Sequence, residues 1–315
     1  MAVQQAVRAG ARHASAEARP GARKWRRAVT GWSFAAPFTL LFVVFALLPV
    51  VASLLMSVTD MRSTDLRHPF AVNFVGLNNY TRLFEDALFR RAAVNTAIFV
   101  VVGVPLTILA ALAAANAVNS GLIRLRGLFR VGFYLPVVTS IVAIAVVWRF
   151  LLDPDAGLVN NLLAQVGIQG PAWLQDPHTS LGSIIVMATW RNFGSLMVIF
   201  LAALQGIPLD LYEAATLDGA GRWQQFRRVT LPLMRPALLF GAVITGIGYL
   251  QLFEEPLVMT QGGPLSSTLS VSYHIYHQFG FGNYGYASAA AYVLFIAIVA
   301  LSALQFRLLG ARDAD

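Results

Sequence analysis

The chain of 315 residues contains no cysteine. That excludes disulfides, thiol catalysis and cysteine-ligated metals, and leaves the compartment open. Lysine is nearly absent: Lys24 stands alone, in Ala22-Arg23-Lys24-Trp25. A phosphate-cradling loop of the form GxxxxGK[ST] needs a lysine between glycine and a hydroxyl residue, so this chain carries none. Schiff-base chemistry lacks a usable amine for the same reason. Neither a GxSxG elbow nor an HExxH helix is present. Charge is scarce too, at 12% of residues against about 25% in soluble domains. With 57% hydrophobic residues beside it, a soluble enzyme, a disordered chain and a nucleic-acid-binding domain are all poor readings.

What the chain has is long apolar runs. A bilayer core needs roughly 20 apolar residues as helix, at about 1.5 Å per residue. Six stretches qualify: Trp32–Val58, Ala93–Val118, Leu128–Leu152, Leu181–Gln205, Ala237–Thr260 and Tyr286–Leu309. The expected fold is therefore all-α, a polytopic membrane protein with six transmembrane helices. The first stretch is longer than a signal-peptide core of about 7–15 residues and reads as an uncleaved anchor. The fifth is interrupted in its outer third by Gln251, Glu254, Glu255 and Pro256.

The net charge of +8 follows the loops. Seven basic residues precede the first span, three lie at the second–third connection, four in the fourth–fifth connection and two in the tail. The opposite side has five, all in its first loop: Arg62, Arg67, Arg82, Arg90 and Arg91. Sixteen against five orients both termini to the cytoplasm. No nucleic-acid partner is needed to explain the basic excess. Residues 1–31 lack apolar periodicity and read as a disordered basic cytoplasmic arm. Residues 32–309 form the membrane domain, with a cytoplasmic loop at 206–236 and a short tail at 310–315. No internal repeat is visible, which gives an inverted-repeat transporter no support.

The loop from Ile207 to Pro232 is the most specific segment. Pro208 suits a helix start, and 209–217 is rich in helix formers. Gly219 and Gly221 then turn the chain. A second short helix over about 222–229 carries Trp223, Phe226 and Val229 among Arg222, Arg227 and Arg228, and Leu231-Pro232 ends it. Such a pair suits a groove on a partner protein. It equally suits an amphipathic helix lying on anionic lipid.

A resemblance separates the two. Glu213-Ala214-Ala215, three residues, Gly219, nine residues and Val229-Thr230-Leu231-Pro232 resemble the EAA motif of ABC-importer permeases, with valine for the usual isoleucine. Phe74–Tyr80, Ala156–Asn160, Trp173–Pro177, Thr260–Pro264 and Tyr284–Ala289 resemble outer-loop motifs of the carbohydrate-uptake branch, the maltose and glycerol-phosphate type. The resemblance covers about residues 32–309. It implies a type I ABC importer permease fold with a coupling element of Glu213, Ala214, Ala215, Asp218, Gly219 and Arg222. It further implies a second permease subunit, two ATPase subunits that hold the ATP and Mg, and an extracytoplasmic solute-binding protein. The chain itself would be no enzyme and hold no cofactor or metal, and its location would be a bacterial plasma membrane.

Two polar groups at membrane depth are candidates for the solute path. Arg191 lies near the middle of the fourth span, flanked by Trp190 and Asn192. An intramembrane arginine costs at least about 2.5–3.5 kcal/mol on insertion scales, so it faces the bundle interior or water. It serves either the cavity or a structural pairing with a helix carbonyl or a carboxylate such as Glu254. Gln251, Glu254 and Glu255, with Tyr249 and Phe253 as aromatic surface, form the second group beside Pro256, where irregular backbone tends to line a cavity; in the alternative, the two glutamates simply sit at the outer interface. Amides, carboxylates and aromatic faces suit an uncharged polyol, and suit a cation almost as well. Glycerol phosphate or another small polar solute stays open. Arg149, near its span's end, is expected to snorkel and has no site role. His274 and His277 read as outer-loop polar residues, and Asn79-Tyr80-Thr81 matches a glycosylation sequon by letters only. Alanines at 110–115 and 287–291 mark helix-packing seams. The expected function is a permease subunit importing a sugar or sugar-like solute by alternating access. A gradient-driven secondary transporter is the rival from another class.

Overall fold

The computed structural model describes residues 20–68, 72–119 and 125–309. Regular structure among them is helical throughout; one isolated bridge pairs Thr59 with Phe74. The chain divides into two compact units, Met1–Leu55 and Met56–Asp315.

The described residues begin with α1 (Pro20–Phe42), which runs through a π-turn (Val43–Leu47) into α2 (Leu48–Ser57), the first unit ending at Leu55 within α2. The helix starts at Pro20, so residues 20–31, expected to be part of a disordered arm, are helical. Pro20 presets φ for a first turn, and the Arg, Lys and Ala that follow favour helix without apolar periodicity. Residues 1–19 of that arm lie outside the described residues.

The second unit carries α3 (Asn78–Glu85), α4 (Ala87–Asn119), α5 (Arg126–Val138), α6 (Ile141–Leu151), α7 (Leu158–Gln165) and α8 (Ser180–Gln205). There follow α9 (Leu209–Leu217), α10 (Arg222–Leu233), α11 (Arg235–Leu250), α12 (Glu254–Met259), α13 (Val271–Gly280) and α14 (Tyr284–Leu309). Four helices are long and apolar enough to cross a membrane: Gly31–Ser57, Ala87–Asn119, Ser180–Gln205 and Tyr284–Leu308. Two bent pairs, α5 with α6 and α10 with α11, bring the number up to six when each pair is taken as one span.

The third expected span is not one straight helix. It breaks at Thr139-Ser140, where α5 and α6 meet at 100°. Thr139 and Ser140 take extended backbone, with ψ of 146° and 127°. The Thr139 hydroxyl donates to the Leu135 carbonyl at 2.9 Å, satisfying a carbonyl that the helix end leaves open. The fifth expected span breaks as well, at Gln251–Phe253 rather than at Pro256. Pro256 sits in the first turn of α12, where a missing N–H costs nothing.

Prolines also explain two widened turns. The π-turn Val43–Leu47 ends two residues before Pro49, and the π-turn Phe226–Thr230 inside α10 ends two residues before Pro232. The proline ring would strike the carbonyl four residues back, and a π-turn opens the helix to relieve it. Helix α10 thus continues through Leu231-Pro232 to Leu233, where it was expected to end, and bends by 66° into α11.

The core lies along α4 and α8, the most extensively packed pair. Phe99, Ile184, Met187, Met197 and Phe200 are fully buried there. A close crossing positions α5: a Cβ on Gly194 of α8 would strike the Phe133 carbonyl. The alanine seams sit at such contacts, with Ala111, Ala115, Ala287, Ala289 and Ala290 buried. Helix α11 is gripped in the same way. The Phe200 ring lies within 2.9 Å of where a Cβ on Gly241 would be, and Gln305 of α14 donates to the Ala242 carbonyl at 3.0 Å.

Candidate functional site

A cavity of 440 Å³ opens where α8 faces the break between α11 and α12. Helix α8 contributes Arg191, Asn192 and Ser195; α11 contributes Thr245, Gly248 and Tyr249; the break and α12 contribute Gln251, Phe253, Glu254 and Glu255. The two polar groups read separately from the sequence therefore meet at one cavity. The break explains why. At Gln251–Phe253 the helix ladder is interrupted, and α12 restarts with Glu254 and Glu255 in its first turn, at the positive end of the new helix dipole.

Arg191 Nη1 stands 3.9 Å from Glu255 Oε1 and 3.5 Å from Asn192 Oδ1. Its Nε is buried without a partner, so the guanidinium keeps unspent hydrogen-bonding capacity. The carboxylate opposite it is Glu255, which is buried, while Glu254 is exposed. Asn192 is oriented by its own helix, its Nδ2 donating to the Ala188 carbonyl at 2.9 Å.

Two candidates are placed differently from expectation. Trp190 does not line the cavity. Consecutive helix residues point about 100° apart, and Trp190 packs against Trp148 of α6, ring centroids 5.7 Å apart. Tyr249 reaches the cavity wall but is buried, its hydroxyl 2.7 Å from the Thr107 hydroxyl and its ring edge-on to Phe99 at 4.9 Å. It is a polar core residue between α4 and α11, not a free aromatic face. Phe253 is the partly exposed ring at the cavity, held by Tyr273 and Tyr276. Ser195 and Thr245 are additional polar lining residues. Each lies four positions from a candidate, Arg191 and Tyr249, and that spacing on one helix face was the available signal.

Arg149, given no site role, donates to the Val258 carbonyl at 3.3 Å beside a separate cavity of 500 Å³ at the α6 end.

The second candidate element is the elbow between α9 and α10. Pro208 precedes α9, and the helix ends with the Asp218 and Gly219 N–H groups donating to Ala214 and Thr216 carbonyls. Gly219 adopts φ +78°, and the Ala220 N–H returns to the Ala215 carbonyl at 2.9 Å. This is the left-handed C-terminal stop for which glycine is suited. The elbow is braced from behind: the Tyr212 and Thr230 hydroxyls lie 2.9 Å apart, and Gln225 Nε2 donates to Thr216 and the Ala220 carbonyl. On the open side Glu213, Ala214, Asp218, Gly219 and Arg222 are exposed and Ala215 is partly so. The result is an exposed knob of small residues braced by internal hydrogen bonds.

The two histidines of α13 have distinct surroundings. His274 is buried in α13, 3.7 Å from Asp86, which accepts the Tyr286 hydroxyl at 2.7 Å. Burial pushes the His274 imidazole below its usual value, opposed by Asp86 and assisted by His277. Partial burial works to raise the Asp86 carboxyl, but the bonds from Tyr286 and the Leu88 N–H, together with His274, leave it below the ordinary range. His277 packs edge-on against Tyr273 at 4.8 Å. Asn79, the sequon residue, is 3% exposed and donates to the Ser57 and Thr59 carbonyls at 2.9 and 2.8 Å. It is a joint between loop and helix.

Residues 103–312 match the family described as binding-protein-dependent transport system inner membrane component. The chain is 40% identical over 284 residues to the lactose transport system permease protein LacF of Rhizobium radiobacter, covering 88% of this chain and 93% of that one. It is 30% identical over 284 residues to the trehalose/maltose transport system permease protein MalF of Thermococcus litoralis, covering 90% and 95%. Among solved structures, a chain of a bacterial alginate ABC transporter in complex with alginate pentasaccharide-bound periplasmic protein superposes with TM-score 0.75 at 25% identity. That alignment covers 91% of this chain and 96% of the other. The many apolar helices, the polar cavity between them and the exposed elbow agree with this kinship. The chain belongs to the binding-protein-dependent transport system inner membrane component family, whose members are multi-pass membrane permeases rather than enzymes.

Proposed function

We propose that the chain is one permease subunit of an ATP-driven, binding-protein-dependent importer that carries a neutral saccharide. Six spans cross the bilayer in this reading, each bent pair counting once, with both termini cytoplasmic. The α9–α10 elbow docks on one of two ATPase subunits, which hold the ATP and Mg. A second permease completes the cavity, and an extracytoplasmic binding protein delivers the solute.

One observation carries the reading. Helix α11 leaves the elbow segment at Arg235 and ends at Leu250, beside Gln251 on the cavity wall. Its 16 residues span about 24 Å as a single rod. Movement imposed on the elbow is thereby delivered to the solute cavity without an intervening loop.

The solute class follows from charge. Arg191 shares the cavity with Glu254 and Glu255. With both glutamates ionised the wall is net negative; with Glu255 protonated it is neutral. Neither state offers net positive charge to glycerol phosphate. Hydroxyl groups, in contrast, find acceptors on the carboxylates and Gln251, donors on Arg191 and Asn192, and a ring at Phe253. Relatives named for lactose and trehalose/maltose transport fit that chemistry. The test is uptake of lactose and maltose by the whole assembly in proteoliposomes. Vanadate-sensitive, ATP-dependent uptake is expected. Uptake that needs no ATP and collapses with an ionophore would refute the reading in favour of a secondary transporter.

A further inference from the structure

The coupling role uses the α9 side of the elbow and leaves the outer face of α10 unexplained. Trp223, Gln224, Arg227 and Arg228 line a cavity of 430 Å³. Their spacing sets them on one helix face. The side chains around it are held inward: Phe226 and Leu231 pack against the core, and Thr230 is buried against Tyr212. Trp223 is 70% exposed, its ring stacked on Phe226 at 5.7 Å and 23°, so a large indole is held outward rather than folded in. Among the described residues, no carboxylate lies within ion-pair distance of Arg222, Arg227 or Arg228.

We infer that this face of α10 binds the phosphate headgroups of anionic phospholipid in the inner leaflet. The inference rests on the topology proposed above, in which α11 crosses the bilayer. Helix α10 makes 66° with α11, which turns it towards the membrane plane. An indole held outward beside arginines is the composition that partitions to the bilayer interface. Guanidinium groups bind phosphate oxygens through two parallel N–H bonds, and among the described residues no carboxylate is paired with these arginines. The alternative occupant, an acidic surface of the ATPase, would leave the indole facing a polar protein rim rather than the headgroup–acyl boundary.

The test uses the intact complex in lipid nanodiscs of phosphatidylcholine, with or without phosphatidylglycerol, and native mass spectrometry of retained lipid. Wild type should retain phosphatidylglycerol over phosphatidylcholine. Each arginine near an anionic surface strengthens binding about fivefold, so Arg227→Gln with Arg228→Gln should lower that preference roughly 25-fold. The outer-loop pair Arg62→Gln with Arg67→Gln should leave it intact. A second readout does not depend on the double variant assembling: fluorescence quenching by brominated phosphatidylglycerol, taken as wild type minus Trp223→Phe, should exceed that by brominated phosphatidylcholine. Equal quenching by the two lipids overturns the proposal. So does a double variant that sheds its ATPase subunits while keeping its lipid preference. Neither readout requires transport, so lipid selectivity without ATP-dependent uptake refutes only the functional reading, and uptake without selectivity refutes only this one.

Discussion

Replacing Gly219 by alanine isolates one energy term at the elbow. The residue sits at φ +78°, and a Cβ built there meets nothing within 4 Å. Steric collision is absent, so the cost is the left-handed conformation alone, about 1–2 kcal/mol for an ordinary L-residue. In the proposed docking role, a free elbow that relaxes out of the strained turn must return to it on binding the ATPase, which should weaken docking up to about 5–30-fold, since each 1.4 kcal/mol is a factor of ten. Gly221 is the control: it also has open space, but its φ is −70°, so Gly221→Ala should dock as wild type. Gly219→Asn should fall between, because asparagine tolerates the left-handed region. Gly219→Pro should abolish docking, as it fixes φ near −65° and deletes the N–H that donates to Thr216. The assay is ATPase-subunit affinity for the purified permease pair, followed by vanadate-sensitive uptake. Wild-type affinity in Gly219→Ala, or equal losses in Gly219→Ala and Gly221→Ala, would refute the argument.

Three further outcomes are expected. Asn79→Ala removes a buried hydrogen bond to the Ser57 carbonyl and a partly buried one to the Thr59 carbonyl, and should destabilise the complex by about 2–3 kcal/mol in a thermal unfolding assay. Glu254→Gln with Glu255→Gln leaves Arg191 as the cavity's sole charge; neutral-sugar uptake should fall while lactobionate becomes an inhibitor, and unchanged selectivity in an uptake competition assay would contradict the charge argument. His274 has a depressed folded value, so the unfolded chain binds its proton more readily and stability is lost as pH falls below the usual histidine value of about 6.5. His274→Phe should flatten that loss between about pH 7 and pH 5 in an unfolding-midpoint series, whereas His277→Gln should retain it.

Much of the architecture was legible because lipid demands it. The runs at 93–118, 181–205 and 286–309 each fall within one long helix. Where the reading failed, apolar content was silent about direction. Leu128–Leu152 is apolar throughout, yet it turns by 100° because Thr139 and Ser140 take extended backbone and Thr139 closes its own helix end. The helical start at Pro20 was missed because a polar, arginine-rich turn carries no periodic signal. In the cavity, Arg191 and Glu255 stood out as charges at membrane depth, but their meeting across 64 positions depended on the break at Gln251–Phe253. Trp190 was misplaced by treating sequence neighbours as spatial ones. The elbow was the most legible part, since its turn needs a glycine where its stop occurs.

The close grip on α11 by Phe200 and Gln305 has a consequence for control. A rod held at its waist works in both directions, and thermodynamic linkage makes the two effects equal in size. If engaging the ATPase changes the cavity's affinity for sugar by some factor, an occupied cavity must change the elbow's affinity for the ATPase by the same factor. In the proposed assembly the size of that shared factor is set by how firmly two side chains clamp one helix.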